Sequence, residues 1–433
     1  MKRTSVCSIN IFMILSKILF IVNSQRPPLD QRTFMSPRID KLIEDLKPLL
    51  KDPNIAEIFE SCLPNTLDTT IKYYDSVTED SFVITGDIDA LWLRDSSNQL
   101  IPYLPYISED KDLKTLAKGL VRRHSNSILI DSFANAFNFD SSGKSGNDHQ
   151  DDTRTPEMQP AVFEGKYEID SLNSFLKLSY WYWKNDPNDT SVFDSHWISA
   201  VNKTIHTIKI MQIEEISSDP ASYMFQRLTT VATDTLMLNG RGPPGKPTGL
   251  SRSLFRPSDD AVALPYNIPG NAMACVELHH LLEMMQDFAL KATTHFSTLS
   301  SADLQNLLND ARSLSSSLCE VLYGMVKERD ETSQAFPLPY EIDGYGNEYY
   351  IDDANLPSLL SLPLLGFISN QNEVYQSTRR FVLSSRNPYW FKGTEAEGIG
   401  GPHIGYNYIW PMSIIVQAMT SSNETEVLFL INS

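Results

Sequence analysis

The densest group of chemically active side chains lies between residues 85 and 96. Carboxylates and a guanidinium bind hydroxyl groups through paired hydrogen bonds, and an indole packs against the C–H face of a sugar ring. The run therefore predicts a sugar-binding surface at the start of a helix, although a capped core helix with a structural salt bridge would use the same residues. The candidate binding residues are Asp87, Asp89, Trp92, Arg94 and Asp95.

A second group, at residues 163–172, contains Glu168 and Asp170 at the start of another predicted helix. Carboxylates are favourable there because the N-terminal end of a helix carries partial positive charge. The same two residues could be ligands for hydroxyl groups or only capping charges. We treat both as candidate substrate-binding residues.

The third group is the run from Phe255 to Asp260, which contains Arg256 and two adjacent carboxylates, Asp259 and Asp260. Two neighbouring carboxylates cannot both ionise cheaply in one apolar environment, so one is expected to be solvated or paired and the other to have a raised pKa. A carboxyl group with a raised pKa is suited to general acid catalysis at neutral pH. An Asx turn is the alternative interpretation.

The fourth group, at residues 389–403, has aromatic side chains followed by a glycine-rich turn with Glu397 and His403. This composition is more typical of a ligand loop than of a packing element. It does not fit a phosphate-binding loop, because no Lys-Ser/Thr pair follows the glycines. His403 has no companions at metal-ligand spacing, so we predict no metal and no other cofactor.

Together the four groups predict a pocket lined by carboxylates, arginines and aromatic residues. Two carboxylates on either side of a sugar are the minimum for glycoside hydrolysis. The sequence has no Gly-x-Ser-x-Gly motif of a serine hydrolase. Its net charge of −18 argues against nucleic acid or an anionic membrane as a partner and is compatible with a neutral glycan.

Helical periodicity predicts about eleven helices, which mostly follow one another in pairs. Helices expected at 354–365 and from about 408 to 419 belong to this set, and Ser81–Thr85 is the strongest strand signal. Paired helices with polar loops at one end favour an all-α toroid, the (α/α)6 barrel. The last helix has no expected partner and is followed by an apolar tail, so the barrel is expected to be incomplete at its C-terminus.

The first residues are typical of a targeting segment, because Lys2 and Arg3 precede an apolar stretch from Ile9 to Val22. We expect residues 1–24 to be a signal peptide or signal anchor, 25–36 a polar leader and 37–433 one truncated catalytic domain. No later segment is long and apolar enough to span a membrane. Three Asn-x-Ser/Thr sequons agree with a secretory location. Outside the presumed signal, three cysteines allow at most one disulfide.

Four runs resemble glycoside hydrolase family 125, and the likeness extends from about Pro37 to the end of the chain. Gly401 and the Ile409-Trp410-Pro411-Met412 run are similar to the fungal branch of that family. The resemblance implies an exo-acting, inverting α-1,6-mannosidase with an (α/α)6 barrel, no required metal and a mannose-containing glycan as substrate. The four runs are Gly86–Ser96, Lys166–Leu172, Phe255–Asp260 and Gly398–His403.

The resemblance also implies roles for particular residues. The general acid would be Asp259 or Asp260, and the other candidates, Arg256 and His403 included, would line the subsite of the terminal mannose. The family's general base is a glutamate in a Met-His-Glu-Ser run beyond residue 421, and these 433 residues contain no such run. The expectation is therefore a chain that lacks the base.

Three other interpretations stay open. The chain could be a mannose-binding pseudoenzyme or a truncated product without a base. It could also be a different (α/α)6 glycosidase with Glu397 or Asp87 as the base, which would be active as it stands. An all-helical scaffold would require the four polar-aromatic loops to be coincidental. We expect a monomer in each case.

Overall fold

The computed structural model describes residues 26–140, 152–212, 221–290, 301–331, 335–394 and 396–431. The predicted signal segment, most of the 141–155 loop and Cys7 lie outside these ranges. The helices, numbered in chain order, are α1 Pro37–Leu46, α2 Pro53–Cys62, α3 Asn65–Thr69, α4 Leu93–Leu100, α5 Lys111–Ile130, α6 Ile169–Asn185, α7 Ser195–Ile210, α8 Ile268–Leu290, α9 Ser301–Asp330, α10 Leu362–Leu365, α11 Glu373–Val382, α12 Pro411–Met419 and α13 Glu424–Ile431.

The helices form an inner and an outer series. Helices α4, α6, α8 and α10 contact one another in that order, and each is followed in the chain by an outer helix, α5, α7, α9 or α11. The outer helices also pack side by side, α5 on α7, α7 on α9 and α9 on α11. This arrangement confirms the predicted all-α (α/α)6 barrel.

The inner helix α6 is buried on nearly all sides, although its sequence contains many small polar residues. Several of its polar groups donate within the helix: the Asn173 side-chain N–H and the Ser174 hydroxyl donate to the carbonyl oxygens of Ile169 and Asp170, both at 2.8 Å. Because these groups need no partner from outside, neighbouring helices can pack on every face of α6. One such contact is the 3.0 Å hydrogen bond from Ser97 Oγ of α4 to the Ser174 carbonyl.

Short antiparallel strands connect outer helices to inner ones. The strands are β1 Ile71–Asp75, β2 Asp80–Val83, β3 Leu91–Trp92, β4 Ala136–Phe137, β5 Thr153–Thr155, β6 Val162–Glu164, β7 Met224–Gln226, β8 Tyr266–Asn267, β9 Glu341–Ile342, β10 Glu348–Tyr349, β11 Trp390–Lys392 and β12 Glu397–Ile399. The β3-β4-β6 sheet pairs Trp92 with Ala136 and Ala136 with Glu164. This sheet therefore places the first and second candidate loops side by side.

Three expectations from the sequence were wrong. The stretch expected as a helix at 354–365 is helical only at Leu362–Leu365, because Pro357 interrupts the pattern, whereas Pro363 lies in the first turn of the short helix, where proline is tolerated. Asp87 and Asp89 do not begin a helix, since Leu91 and Trp92 pair as a strand before α4 begins. The tail at 424–431 is not without a partner, because α13 packs on α12.

Cys275 and Cys319 form a disulfide that joins α8 to α9, while Cys62 is free and exposed. The predicted limit of one disulfide and one free thiol outside the signal segment is confirmed. The bond closes a loop with a sequence separation of 44 residues. Crosslinks of such loops stabilise mainly by restricting the unfolded chain.

We expect the double variant C275A/C319A to unfold at lower urea concentration, with a loss of about 2–4 kcal/mol in the free energy of unfolding. The matched control is C62A, which removes an exposed thiol and should change stability by less than about 0.5 kcal/mol. Equal unfolding midpoints for the double variant and the unsubstituted chain would contradict this prediction.

Candidate active site

The loops that precede the inner helices meet at one end of the barrel. Arg94 lies in the first turn of α4, Glu168 is the residue before α6, and Asp259 lies in the loop before α8. Their side chains contact one another, so the N-termini of these helices are directed to the same place. Partial positive charge at helix N-termini stabilises the carboxylates gathered there.

Arg94 is the centre of this arrangement and is only 6% exposed. Its Nη1 lies 2.5 Å from Glu168 Oε2 and 3.2 Å from Asp170 Oδ2. Its Nη2 lies 3.3 Å from Asp259 Oδ1 and 3.4 Å from Asp95 Oδ2. We call these five residues the Arg94 cluster. A single guanidinium thus joins carboxylates from three loops.

The Asn135 side chain lies beside the Arg94 cluster, at the residue before β4. Its Nδ2 is 2.9 Å from Glu164 Oε2, 3.2 Å from Glu168 Oε1 and 3.2 Å from Asp259 Oδ1. An amide nitrogen has two hydrogens, so it cannot satisfy three acceptors fully. The crowding of acceptors around Asn135 shows how concentrated negative charge is at this end of the barrel.

Two connected cavities open over this cluster. The smaller one, about 280 Å³, is the recess, and the larger one, about 790 Å³, is the cleft. Both are lined by Asp87, Ile88, Trp92, Asp259 and His403. The recess adds Arg94 and Asp95 to its wall together with Thr85, Pro257, Ser258, Asn355 and Trp410.

Aromatic side chains form walls of both cavities. Trp92 packs edge-to-face on Phe163 with ring centroids 5.3 Å apart, and the two line the cleft. His403 stacks on Trp410 with centroids 6.0 Å apart, beside the recess. Such surfaces suit the apolar faces of a sugar ring, with carboxylates at hand for its hydroxyl groups.

The turn at residues 256–260 fixes the two adjacent aspartates. The Asp259 N–H donates to the Arg256 carbonyl at 2.9 Å, and the Arg256 N–H donates to the Asp260 carbonyl at 2.8 Å. Asp259 has a left-handed φ of 64°, a conformation that Asp tolerates better than most residues. As a result Asp259 faces Arg94, whereas Asp260 Oδ2 lies 3.7 Å from His403 Nδ1.

Several predicted binding residues lie behind the pocket rather than in its wall. Glu168 and Asp170 are 1% and 0% exposed and contact Arg94 from behind. Arg256 is buried against Glu341, with Nε 2.6 Å from Oε1, and therefore holds the 256–260 turn. Glu397 pairs with Lys392 at 2.9 Å in the β11–β12 hairpin and does not line either cavity.

The other predicted residues reach the cavities. Asp87, Trp92 and His403 line both, Asp89 lines the cleft and pairs with Lys72, and Asp260 lines the cleft. Sequence reasoning missed Asn135, Glu164 and Lys166. Glu164 and Lys166 lie within the second predicted group but were not predicted as site residues, and their hydrogen bonds to Asn135 place them beside the Arg94 cluster.

The charges of the cluster shift the acidity of its members. Burial raises the pKa of Glu168 well above its ordinary value, in spite of Arg94. Burial also raises the pKa of Asp170, to about 6. Burial also acts to raise the pKa of Asp259. The effects of Arg94, Glu168 and Lys166 together are larger, so the pKa of Asp259 is lowered.

We expect the variant R94M to be destabilised by about 3–5 kcal/mol, because it leaves buried carboxylates without their cation. The loss should be larger at pH 8 than at pH 5. Without Arg94, burial raises the pKa values of Glu168 and Asp170 further. A carboxyl group whose pKa is higher in the folded protein than in the unfolded chain lowers the free energy of unfolding as the pH rises from the unfolded to the folded pKa.

Melting temperatures at the two pH values test this prediction. The matched control is R123M, whose partner Asp80 is partly solvated and whose loss should cost much less, with little pH dependence. A destabilisation of R94M that is the same at both pH values would contradict the assignment of Arg94 as the counter-charge of the cluster.

Comparisons with known proteins agree with this geometry. The family model described as metal-independent alpha-mannosidase (GH125) matches residues 52–433. The meiotically up-regulated gene 157 protein of Schizosaccharomyces pombe is 44% identical over 422 residues, which cover 94% of this chain and 79% of that protein.

A solved structure is also similar. It is a Streptococcus pneumoniae metal-independent alpha mannosidase in a non-productive substrate complex with alpha-1,6-mannobiose, with a TM-score of 0.80 and 36% sequence identity. The match covers 91% of this chain and 87% of that one. The barrel, the carboxylate-rich pocket and these similarities together show that the chain belongs to the metal-independent α-mannosidases of glycoside hydrolase family 125.

Proposed function

We propose that this chain is an exo-acting, inverting α-1,6-mannosidase that removes non-reducing terminal mannose from glycans. The observation that carries the proposal is the recess that opens into the wider cleft, with Asp259 in the wall of both. The recess, about 280 Å³, is smaller than the roughly 300–1,000 Å³ of typical pockets for drug-sized ligands, which suits a single sugar ring. The rest of the glycan would lie in the cleft.

The choice between the two adjacent aspartates follows from the same geometry. A general acid must reach the oxygen of the bond between the terminal sugar and the next one, which lies where the recess meets the cleft. Asp259 lines both cavities, whereas Asp260 lines the cleft alone. We therefore assign the general acid to Asp259 and place Asp260 beside His403 as a binding residue.

Asp87, Asp95 and Arg94 would hold hydroxyl groups of the terminal mannose, and Trp92 would pack against its ring. In an inverting enzyme a second carboxylate activates water from the opposite face, roughly 6.5–9.5 Å from the acid. The family resemblance implies that this base is a glutamate of a Met-His-Glu-Ser run. The proposal for the acid does not depend on that residue.

The first test is proton NMR of the chain with α-1,6-mannobiose. Inversion predicts that β-mannose appears first, whereas initial release of α-mannose would overturn it. If mannose raises the melting temperature of the chain but mannobiose is not hydrolysed, the alternative of a mannose-binding protein without catalysis is favoured.

The second test compares D259N and D260N. We expect D259N to lose about 10²–10⁴-fold in turnover of mannobiose, the usual value of general acid catalysis. On α-mannosyl fluoride D259N should keep most of its turnover, because fluoride leaves without protonation. D45N, at an exposed carboxylate that pairs with Lys41 and lines neither cavity, is the control. If D260N instead loses more turnover of mannobiose than D259N, and only D260N keeps its turnover of α-mannosyl fluoride, the acid is Asp260.

We also propose a secretory location. The three sequon asparagines, Asn188, Asn202 and Asn423, are all exposed, as glycosylation would require. Among the described residues, no helix is long and apolar enough to cross a membrane. A loss of apparent mass on treatment with an N-glycosidase, after expression in a eukaryotic host, would support the proposal.

A further inference from the structure

We propose that Glu168 is the proton partner of Asp259: the two carboxyl groups share one proton, which Glu168 holds in the free protein and passes to Asp259 for the protonation of the glycosidic oxygen. This inference rests on the proposed function, because it deepens the assignment of Asp259 as the acid. Glu168 is a positioning residue, since its side chain is fully buried and does not reach the cavities.

The geometry joins the two carboxyl groups through shared donors. Glu168 Oε1 and Asp259 Oδ1 both lie 3.2 Å from Asn135 Nδ2. The two terminal nitrogens of Arg94 are divided between them, with Nη1 at 2.5 Å from Glu168 and Nη2 at 3.3 Å from Asp259. Each carboxyl group acts on the pKa of the other, which is raised for Glu168 and lowered for Asp259. Two carboxyl groups gathered on the same donors can hydrogen-bond to each other when one of them carries a proton.

The charges around the pair also require a proton. Arg94 faces the carboxylates of Asp95, Glu168, Asp170 and Asp259. Lys166 and His403 also act on the pKa of Asp259. The Lys166 ammonium group is shared with two further carboxylates, those of Glu164 and Asp234. Not all of these buried carboxyl groups can ionise together at low cost. Glu168 and Asp170 are both fully buried, but the pKa of Glu168 is raised well above its ordinary value and that of Asp170 only to about 6, so Glu168 is the member best suited to remain neutral.

The acidities of the pair agree with this location of the proton. Burial, with the like charges of Asp259 and Asp170, raises the pKa of Glu168. The pKa of Asp259 is lowered, so without a partner it would be an anion at neutral pH and unable to act as an acid. A proton held next to Asp259 resolves this difficulty.

The step balances as one proton transfer along three oxygens. A sugar in the recess displaces water from Asp259, which favours its neutral form. The Glu168 O–H gives its proton to Asp259, and Asp259 gives one to the glycosidic oxygen as the C1–O bond breaks, its electron pair stays on that oxygen and water bonds to C1. The water loses one proton to the base and then to solvent. Glu168 is left as a carboxylate paired with Arg94 and regains one proton from solvent after the product leaves, so the number of protons is unchanged.

Asp170 provides the matched control. It is as deeply buried as Glu168 and lies 3.2 Å from the same Arg94 Nη1, but it does not share Asn135. E168Q and D170N therefore each remove one buried carboxyl group from Arg94, and only E168Q removes the proton held beside Asp259. Thermal melts of both variants check that they fold.

We expect E168Q to lose most of the about 10²–10⁴-fold contribution of acid catalysis on mannobiose and little turnover on α-mannosyl fluoride. The basic limb of its pH profile for kcat/KM should move to lower pH by more than one unit, and that of D170N by much less. Equal shifts and equal losses in the two variants, or no shift in E168Q, would overturn the proposal.

A titration without turnover separates this proposal from the proposed function. In the full chain with ¹³C-labelled glutamate carboxyl groups, one signal should titrate well above the ordinary range of glutamate. That signal should be absent from E168Q and should move to lower pH in D259N, where the like charge is gone. If D259N leaves the titration unchanged, the shared proton is refuted whether or not the chain hydrolyses mannobiose.

Discussion

The buried guanidinium of Arg94 is the interaction on which the site depends. The first turn of α4, the residue before α6 and the loop before α8 each bring a carboxylate to it, and each of these carboxylates would be costly to bury alone. The same contact helps to hold Asp259 in a left-handed conformation, which costs about 1–3 kcal/mol and persists only where the surroundings over-determine it. One cation therefore fixes both the electrostatics and the backbone of the pocket.

The barrel makes this concentration of charge possible. The N-termini of α4 and α6 and the loop before α8 arrive at the same end of the barrel, because Arg94, Glu168 and Asp259 contact one another there. Helix dipoles and backbone N–H groups are then directed toward a group of anions that water no longer solvates fully. Asp353, from the loop before α10, follows the same rule: its carboxylate lies beside Gly401, where a Cβ would come within 3.0 Å of Oδ1.

The sequence predicted correctly those features that depend only on residues close together in the chain. The long outer helices and the carboxylates Glu168 and Asp170 at a helix start follow from periodicity and helix electrostatics, and both predictions were confirmed. Trp92 was predicted to be a binding residue from its type and neighbours, and its side chain lines both cavities.

The other features of the site depend on pairing between segments far apart in the chain, which no short sequence pattern predicts. Asn135 lies in a run without periodicity and reaches the site only because Ala136 pairs with both Trp92 and Glu164. The division of the carboxylates into a pocket wall and a buried layer behind Arg94 also could not be predicted. Both layers have the same residue types at similar spacing, and only packing decides which one reaches the cavity.

The β3-β4-β6 sheet has a consequence for how the chain can change in length. Its strands have only two or three residues, and neighbouring side chains on a strand point to opposite faces. The deletion of one residue between Leu91 and Arg94 would turn the Trp92 position away from the cleft and rotate Arg94 on its helix by about 100°. We therefore expect insertions and deletions to be tolerated better in segments outside this sheet and outside the first turns of the inner helices.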